Sequence, residues 1–163
     1  MTFATGVLYL LQDEKGNPSN FSLCGFYANS AYHLDVLQIS ASATPVKWRG
    51  ISVEFSGTEA GSIPTLTMAK NLTSSDLLNY HFVVCNNGID TAEDGLIQPT
   101  LRWKDQNPCI EEGSWQSPGM VRVCVIGKKD MTAKQRQSID NLVKGICNNC
   151  NMPDDAVVYH MGR

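Results

Sequence analysis

The sequence has no long apolar run that could cross a membrane. Its longest unbroken apolar stretch is Val7 to Leu11, which is far short of the roughly 20 residues that a helix needs to span a bilayer. No basic segment precedes this stretch, so it does not have the pattern of a secretory signal peptide. We therefore expect no membrane span, and a cytoplasmic location by default unless export follows a route that this sequence does not show.

An excess of positive charge is also lacking. Lys and Arg together number 13 against 16 Asp and Glu, which gives a formal net charge of −3. The basic residues are scattered, apart from Lys128 and Lys129. Proteins that bind a phosphate backbone carry a clustered basic surface, so the composition argues against nucleic acid as a partner.

The six cysteines form no known metal or redox motif. Only Cys147 and Cys150 are closely spaced, and a zinc ribbon would need a second such pair. A thioredoxin-like site would need its pair at the start of a helix that follows a strand. A chain of 163 residues can bury roughly 70% of its unfolded surface without disulfides, and the sequence leaves open whether the cysteines pair.

The clearest predicted element is an amphipathic helix near the C-terminus. Apolar residues recur at helical spacing over residues 139 to 150, and Thr132 and Gln135 stand at the spacing of a capping box. This pattern predicts a helix over about residues 133 to 148. Cys147 and Cys150 would then be core cysteines on its buried stripe.

Several shorter segments are rich in β-branched residues or alternate between apolar and polar residues. In Gly50–Ser56 the alternation is strict, so Glu54 is expected to face away from the core side of its own strand. A weak helix is expected within residues 61 to 72, where Pro64 restricts its start. Extended segments are predicted at residues 7–12, 35–39, 50–56, 80–85, 96–98, 101–103, 120–126 and 156–159.

Strands that alternate with helices indicate a mixed α/β fold with a central mixed β-sheet flanked by helices. The small, polar stretch Ser40 to Pro45 marks a candidate boundary. We therefore predict an N-terminal extension over residues 1–45, with strands packed on or beside the core, and a core domain over residues 46–163.

Six fragments of the core domain follow one another in a familiar order. In that order and spacing, about residues 48 to 163 resemble the zinc-dependent N-acetylmuramoyl-L-alanine amidases and the related peptidoglycan-recognition proteins. The resemblance implies a mixed sheet with flanking helices and a groove for the glycan and stem peptide, and residues 1–45 match no known family. The fragments are Trp48–Thr58, Asn79–Val84, Asp94–Ile97 with Arg102 and Trp103, Val121–Gly127, Thr132 with Gln135, and Val158–His160.

The resemblance is incomplete at the metal site. Members of that family hold zinc with three protein ligands, and the metal activates the water that cleaves the amide. Glu54 stands where the family has its strand histidine, His160 matches the second ligand, and the third has no counterpart. We therefore expect no cofactor, unless zinc is held at a site rebuilt with Cys109, Asp154 or Asp155.

The resemblance also implies roles for groove residues, and two interpretations stay open. Tyr80 matches the groove tyrosine that assists the developing oxyanion in lytic members. Without zinc, Glu54 and His160 are either a general base and acid or a solvated pair. Arg102 and Trp103 are candidate ligand-binding residues, since aromatic rings there, including Trp115, would stack on sugars; alternatively, Trp103 closes the core.

Three functions follow. The first is an amidase-like domain that has lost its zinc site and binds peptidoglycan fragments or a related ligand without hydrolysis. The second is an active amidase whose metal site is rebuilt, or completed by residues outside this sequence. The third is an interaction module that uses residues 1–45. The sequence does not indicate an oligomeric state.

Overall fold

The computed structural model describes residues 35–59, 61–88, 90, 92–109, 119–153 and 155–160. These residues form five strands, three α-helices and one 3-10 turn, at Ser75–Leu77. The strands are β1 (Gly50–Phe55), β2 (Phe82–Val84), β3 (Ile97–Pro99), β4 (Met120–Val125) and β5 (Val157–His160). The helices are α1 (Ile63–Ala69), α2 (Leu101–Lys104) and α3 (Ala133–Cys150).

The strands form one mixed sheet in the order β3-β2-β4-β1-β5. β4 pairs in parallel with β1 and β2, and β1 pairs in parallel with β5. Only the short β2–β3 pairing is antiparallel. The predicted mixed α/β class with a central mixed sheet is confirmed.

Each face of the sheet carries its own apolar core. On one face the buried residues of β1 and β4, among them Ile51, Val53 and Val123, pack with Ile139 and Ile146 of α3. On the other face, Val83 and Cys124 pack with Leu66 of α1. Successive side chains of a strand point to opposite faces, so β2 and β4 contribute apolar residues to both cores, whereas β1 contributes only to the α3-side core.

Gln135 joins the start of α3 to the ends of two strands. Its side chain is almost fully buried, and Nε2 donates to the carbonyl oxygens of Cys85 (3.1 Å) and Ile126 (2.9 Å). Oε1 accepts the backbone N–H of Thr132 at 3.1 Å, while the Thr132 hydroxyl accepts the N–H of Gln135 at 3.0 Å. The predicted capping box is thus confirmed, and the same glutamine also binds the carbonyls that follow β2 and β4.

Most predicted elements of the core are confirmed. The C-terminal helix forms over Ala133–Cys150, with Cys147 buried and Cys150 half-buried, and the weak helix forms over Ile63–Ala69. The predicted strands at 50–56, 80–85, 96–98, 120–126 and 156–159 are all found, each with slightly shifted or shorter bounds. The predicted strand over residues 7–12 lies outside the described residues.

Two predicted extended segments are wrong. Residues 35–39 form a helical turn and irregular chain, in which the Gln38 N–H and side-chain amide both donate to Asp35. The segment 101–103 belongs to helix α2, because the Asp105 N–H donates to the Leu101 carbonyl at 2.8 Å. In both places one turn of helix directs an apolar side chain, Val36 or Trp103, into the core.

The described part of the predicted N-terminal extension packs on the core. Val36 is buried in the α3-side core. The Ser40 N–H donates to the Lys104 carbonyl at 2.7 Å, and its hydroxyl donates to the Asp105 carboxylate at 3.0 Å. These contacts hold residues 35–40 against α2, while the predicted boundary near residue 45 stays a prediction.

We expect Gln135→Leu to lower the free energy of unfolding by about 2 to 3 kcal/mol, because it removes the hydrogen bonds of the Gln135 amide to two buried carbonyls and half of the capping box. Chemical denaturation monitored by circular dichroism measures the change. The matched control is Gln137→Leu, on the exposed face of the same helix, which should change stability by less than about 0.5 kcal/mol. Equal effects of the two substitutions would contradict the role given to Gln135.

Candidate functional site

Glu54 lies on the α1 side of the sheet, opposite the face that carries Ile51 and Val53. The strand register places it beside Cys124 of β4 and His160 of β5. Neighbouring strands lie about 4.8 Å apart and register partners share a face, so these three residues form a row across β4, β1 and β5. The predicted orientation of Glu54, away from the α3-side core, is confirmed.

The Glu54 carboxylate is paired with the guanidinium of Arg122. Arg122 Nη2 donates to Glu54 Oε1, and the two side chains are only 5% and 21% exposed, in that order. A buried charge without a partner costs several kcal/mol, so each of these groups stabilises the other. The other ion pair among the described residues, Lys128–Glu59, is solvent-exposed.

Tyr80 is buried beside this ion pair. The centre of the Arg122 guanidinium lies 5.1 Å from the centroid of the Tyr80 ring, and Lys70 Nζ lies 5.8 Å from it. These distances are in the range of cation–π contacts. Burial, followed by the neighbouring Cys124 thiol and Glu54 carboxylate, raises the pKa of the Tyr80 phenol well above its usual range, so the hydroxyl stays protonated.

The thiol of Cys124 completes the cluster and is not reactive. Its side chain is hydrogen-bonded to Tyr80, and burial raises the pKa of Cys124 to about 12. A thiol acts as a nucleophile only when deprotonated. We call the four residues Glu54, Arg122, Tyr80 and Cys124 the ion-pair cluster.

The His81 side chain, just before β2, is hydrogen-bonded to the backbone of Arg122 in β4. Its Nδ1 accepts the N–H of Arg122 at 2.9 Å, and its Nε2 donates to the Asn107 carbonyl at 3.0 Å. This arrangement requires the neutral ring with the proton on Nε2. Burial lowers the pKa of His81 to about 4, so the ring is neutral near pH 7.

Cys109 lies against the same ring, with its Sγ 3.4 Å from His81 Nδ1. Because that nitrogen already accepts the Arg122 N–H, it is not a free base that could activate the thiol. The pair is therefore a structural contact between β4, the start of β2 and the chain after α2.

The side chains of Arg102 and Trp103 both contact other parts of the protein. Arg102 Nε donates to the Leu78 carbonyl at 2.8 Å, and Nη1 donates to the Pro108 carbonyl at 3.1 Å. Trp103 is only 3% exposed and packs on Phe82, with ring centroids 4.7 Å apart. Of the two interpretations of Trp103, core closure is what this geometry shows, and Trp115 lies outside the described residues.

The described residues do not fit a zinc site. The Glu54 carboxylate is held by a guanidinium, whose positive charge opposes a metal ion at the same oxygens. Cys109 contacts His81 instead of approaching Glu54. Nowhere in the part of the chain that the structure describes do three His, Cys, Asp or Glu side chains group as metal ligands.

The cluster therefore presents a fixed pair of opposite charges and no activated nucleophile. Sequence reasoning found Glu54, Tyr80 and His160 but overlooked Arg122 and Lys70. A single arginine within the apolar run Met120–Val125 was the available signal, since charged residues are rarely buried without a partner. Alternation places Arg122 and Cys124 on one face of β4, and that is the face of Glu54.

No family model, curated protein or solved structure matches this chain. Among the described helices, none is long and apolar enough to cross a bilayer.

We expect Glu54→Gln to destabilise the protein by about 2 to 3 kcal/mol, because it removes the carboxylate that pairs with the buried Arg122 guanidinium. Urea denaturation at neutral pH measures the loss. The control Glu59→Gln removes the exposed ion pair and should leave the midpoint unchanged. A Glu54→Gln variant as stable as the unmodified protein would show that the Arg122 charge does not depend on Glu54.

We expect His81 to make stability depend on pH between its unfolded and folded pKa values. Its pKa falls from 6.5 to about 4 on folding, so the unfolded state binds more protons in this window and stability rises with pH. The contribution is complete above about pH 6.5 and is lost as the pH falls towards 4, amounting to about 3 kcal/mol at most.

Denaturation midpoints at several pH values test this linkage. The pH dependence of stability should be weaker in His81→Gln than in the unmodified protein, and the difference between the two gives the contribution of His81. His160→Gln should show the same pH dependence as the unmodified protein. Identical profiles for the unmodified protein and His81→Gln would contradict the assignment.

Proposed function

We propose that residues 46–163 form an amidase-like domain that binds a peptidoglycan fragment without hydrolysing it. The observation that carries the proposal is the Glu54–Arg122 ion pair. The resemblance puts a zinc-binding histidine at position 54, and there the chain has a carboxylate neutralised by an arginine. The positively charged guanidinium of Arg122 thus lies next to residue 54, where the resemblance implies a metal ligand.

The arrangement of the elements supports this proposal. Five of the six fragments contain residues of the five strands of one sheet, and the sixth, Thr132 with Gln135, begins α3. Of the residues that the resemblance assigns to the site, Glu54 and His160 are register partners on β1 and β5. Tyr80 contacts the Arg122 side chain that Glu54 binds.

The ion-pair cluster is suited to recognition rather than to catalysis. The Tyr80 phenol and the Cys124 thiol are held protonated, because burial raises the pKa of both groups. Glu54, whose side chain is 21% exposed, is the member of the pair that a ligand can reach, and its carboxylate can accept hydrogen bonds from the amides of a peptide.

Calorimetric titration with a muropeptide that contains the N-acetylmuramoyl-L-alanine amide tests this function. We expect saturable binding to the unmodified protein and about tenfold weaker binding to Glu54→Gln, because a charge-assisted hydrogen bond contributes about that factor. Glu59→Gln should bind as the unmodified protein does. Both variants are compared at a temperature where circular dichroism shows them folded.

A second measurement separates binding from hydrolysis. Mass spectrometry of the muropeptide after incubation with protein and added zinc should show it intact. Zinc-dependent release of the peptide would favour an active amidase with a rebuilt metal site. Absence of any binding would overturn the proposal and favour an interaction module based on residues 1–45.

A further inference from the structure

A second concave site lies on the opposite face of the sheet, between the sheet and α3. It is a cleft of about 370 Å³ at the ends of β1 and β5, a volume at the lower end of the range of small-molecule pockets. Its apolar lining comes from Phe55 at the end of β1, Tyr159 of β5, Ile139 of α3 and Met131. It shares no residue with the ion-pair cluster.

The topology favours a ligand at this end of the sheet. After β1 the chain passes to α1 on one face, and after β4, its parallel neighbour, it passes to α3 on the other face. Open α/β sheets bind ligands outside the carboxyl ends of strands at such a divergence. Phe55, from the end of β1, and Lys129 to Met131, from the β4–α3 connection, contribute to the cleft.

The cleft carries charges of both signs. Arg136 and Asp140 are one turn apart on α3, and Lys129 and Asp130 come from the preceding connection. All four residues are exposed, and no described residue forms an ion pair with any of them. Two cations and two carboxylates therefore remain available beside an apolar surface.

The phenol of Tyr159 adds a neutral hydrogen-bonding group. Burial and the nearby Asp140 carboxylate raise the pKa of Tyr159 above its usual value. The phenol therefore stays protonated at neutral pH and can donate to an anionic or neutral oxygen of a ligand.

We propose that this cleft binds a small zwitterion with an apolar substituent, which is the chemistry of a free α-amino acid. Arg136 and Lys129 bind its carboxylate, and Asp130 and Asp140 bind its ammonium group. The Phe55 and Ile139 side chains contact its apolar part. A purely anionic ligand would be opposed by the two carboxylates, and a purely cationic one by the two cations. The inference does not depend on the function proposed for the ion-pair cluster.

Three related probes test which charges are recognised: L-leucine, N-acetyl-L-leucine, which lacks the ammonium group, and L-leucinamide, which lacks the carboxylate. Titration of the full chain is followed by ¹H–¹⁵N NMR. We expect leucine to shift the amides of Ile139 and Tyr159 saturably, and each analogue to bind about fivefold more weakly. No saturable shift with leucine, or equal binding of all three probes, would overturn the proposal.

Two variants connect each ligand charge to a residue. Arg136→Gln should weaken leucine binding about fivefold, and leucine and leucinamide should then bind with similar affinity. Asp140→Asn should also weaken leucine binding about fivefold, and leucine and N-acetyl-L-leucine should then bind with similar affinity. Lys144→Gln, an exposed substitution on the same helix but outside the cleft, should leave leucine binding unchanged. If all three variants bound leucine equally well, the assigned contacts would be wrong.

Discussion

The burial of the Arg122 charge is the constraint on which the centre of this structure depends. Arg122 lies in β4, the middle strand of the sheet, and is only 4% exposed. Its guanidinium needs Glu54 from β1, and its side chain also contacts the Tyr80 ring. Its backbone N–H and carbonyl both bind His81, at 2.9 Å and 2.8 Å. One residue thus fixes the relation of β1, β4 and the chain that enters β2.

The carboxyl ends of the strands are held by a second polar residue, Gln135. Its amide binds carbonyls that follow β2 and β4 and also caps α3. Together, Arg122 and Gln135 place buried hydrogen-bonding groups at two levels of a largely apolar sheet. Such groups restrict how the strands and α3 can be arranged, because a buried polar atom left without a hydrogen bond destabilises the fold. The ion-pair cluster and the cleft beside α3 each lie next to one of them.

Sequence patterns predicted the elements whose signals are local. The period of α3, its Thr132–Gln135 cap and the alternation of β1 and β4 depend only on neighbouring residues, and these elements form as expected. The turn at residue 35 and helix α2 were predicted as extended chain. Their conformation is set by distant contacts, such as Trp103 packing on Phe82, and such contacts leave no periodic signal in a segment of four or five residues.

The candidate site was predictable in part for the same reason. The position and direction of Glu54 follow from the alternation of its own strand, whereas its pairing with Arg122 depends on the register between β1 and β4. The same holds for the cleft beside α3, where Phe55, Arg136 and Tyr159 come from three separate elements. A single sequence contains no direct record of which strands lie side by side.

The placement of β1 also has a consequence for how the chain folds. β1 is the earliest described strand, yet both of its neighbours, β4 and β5, come from the second half of the sequence. Such non-local pairing slows folding because a long loop must close before its contacts form. During synthesis, the Ile51 and Val53 side chains would have no sheet partners until β4 emerges from the ribosome. One flank of β1 would stay open until β5 follows, so a chain shortened at its C-terminus would keep an unprotected apolar strand prone to intermolecular pairing.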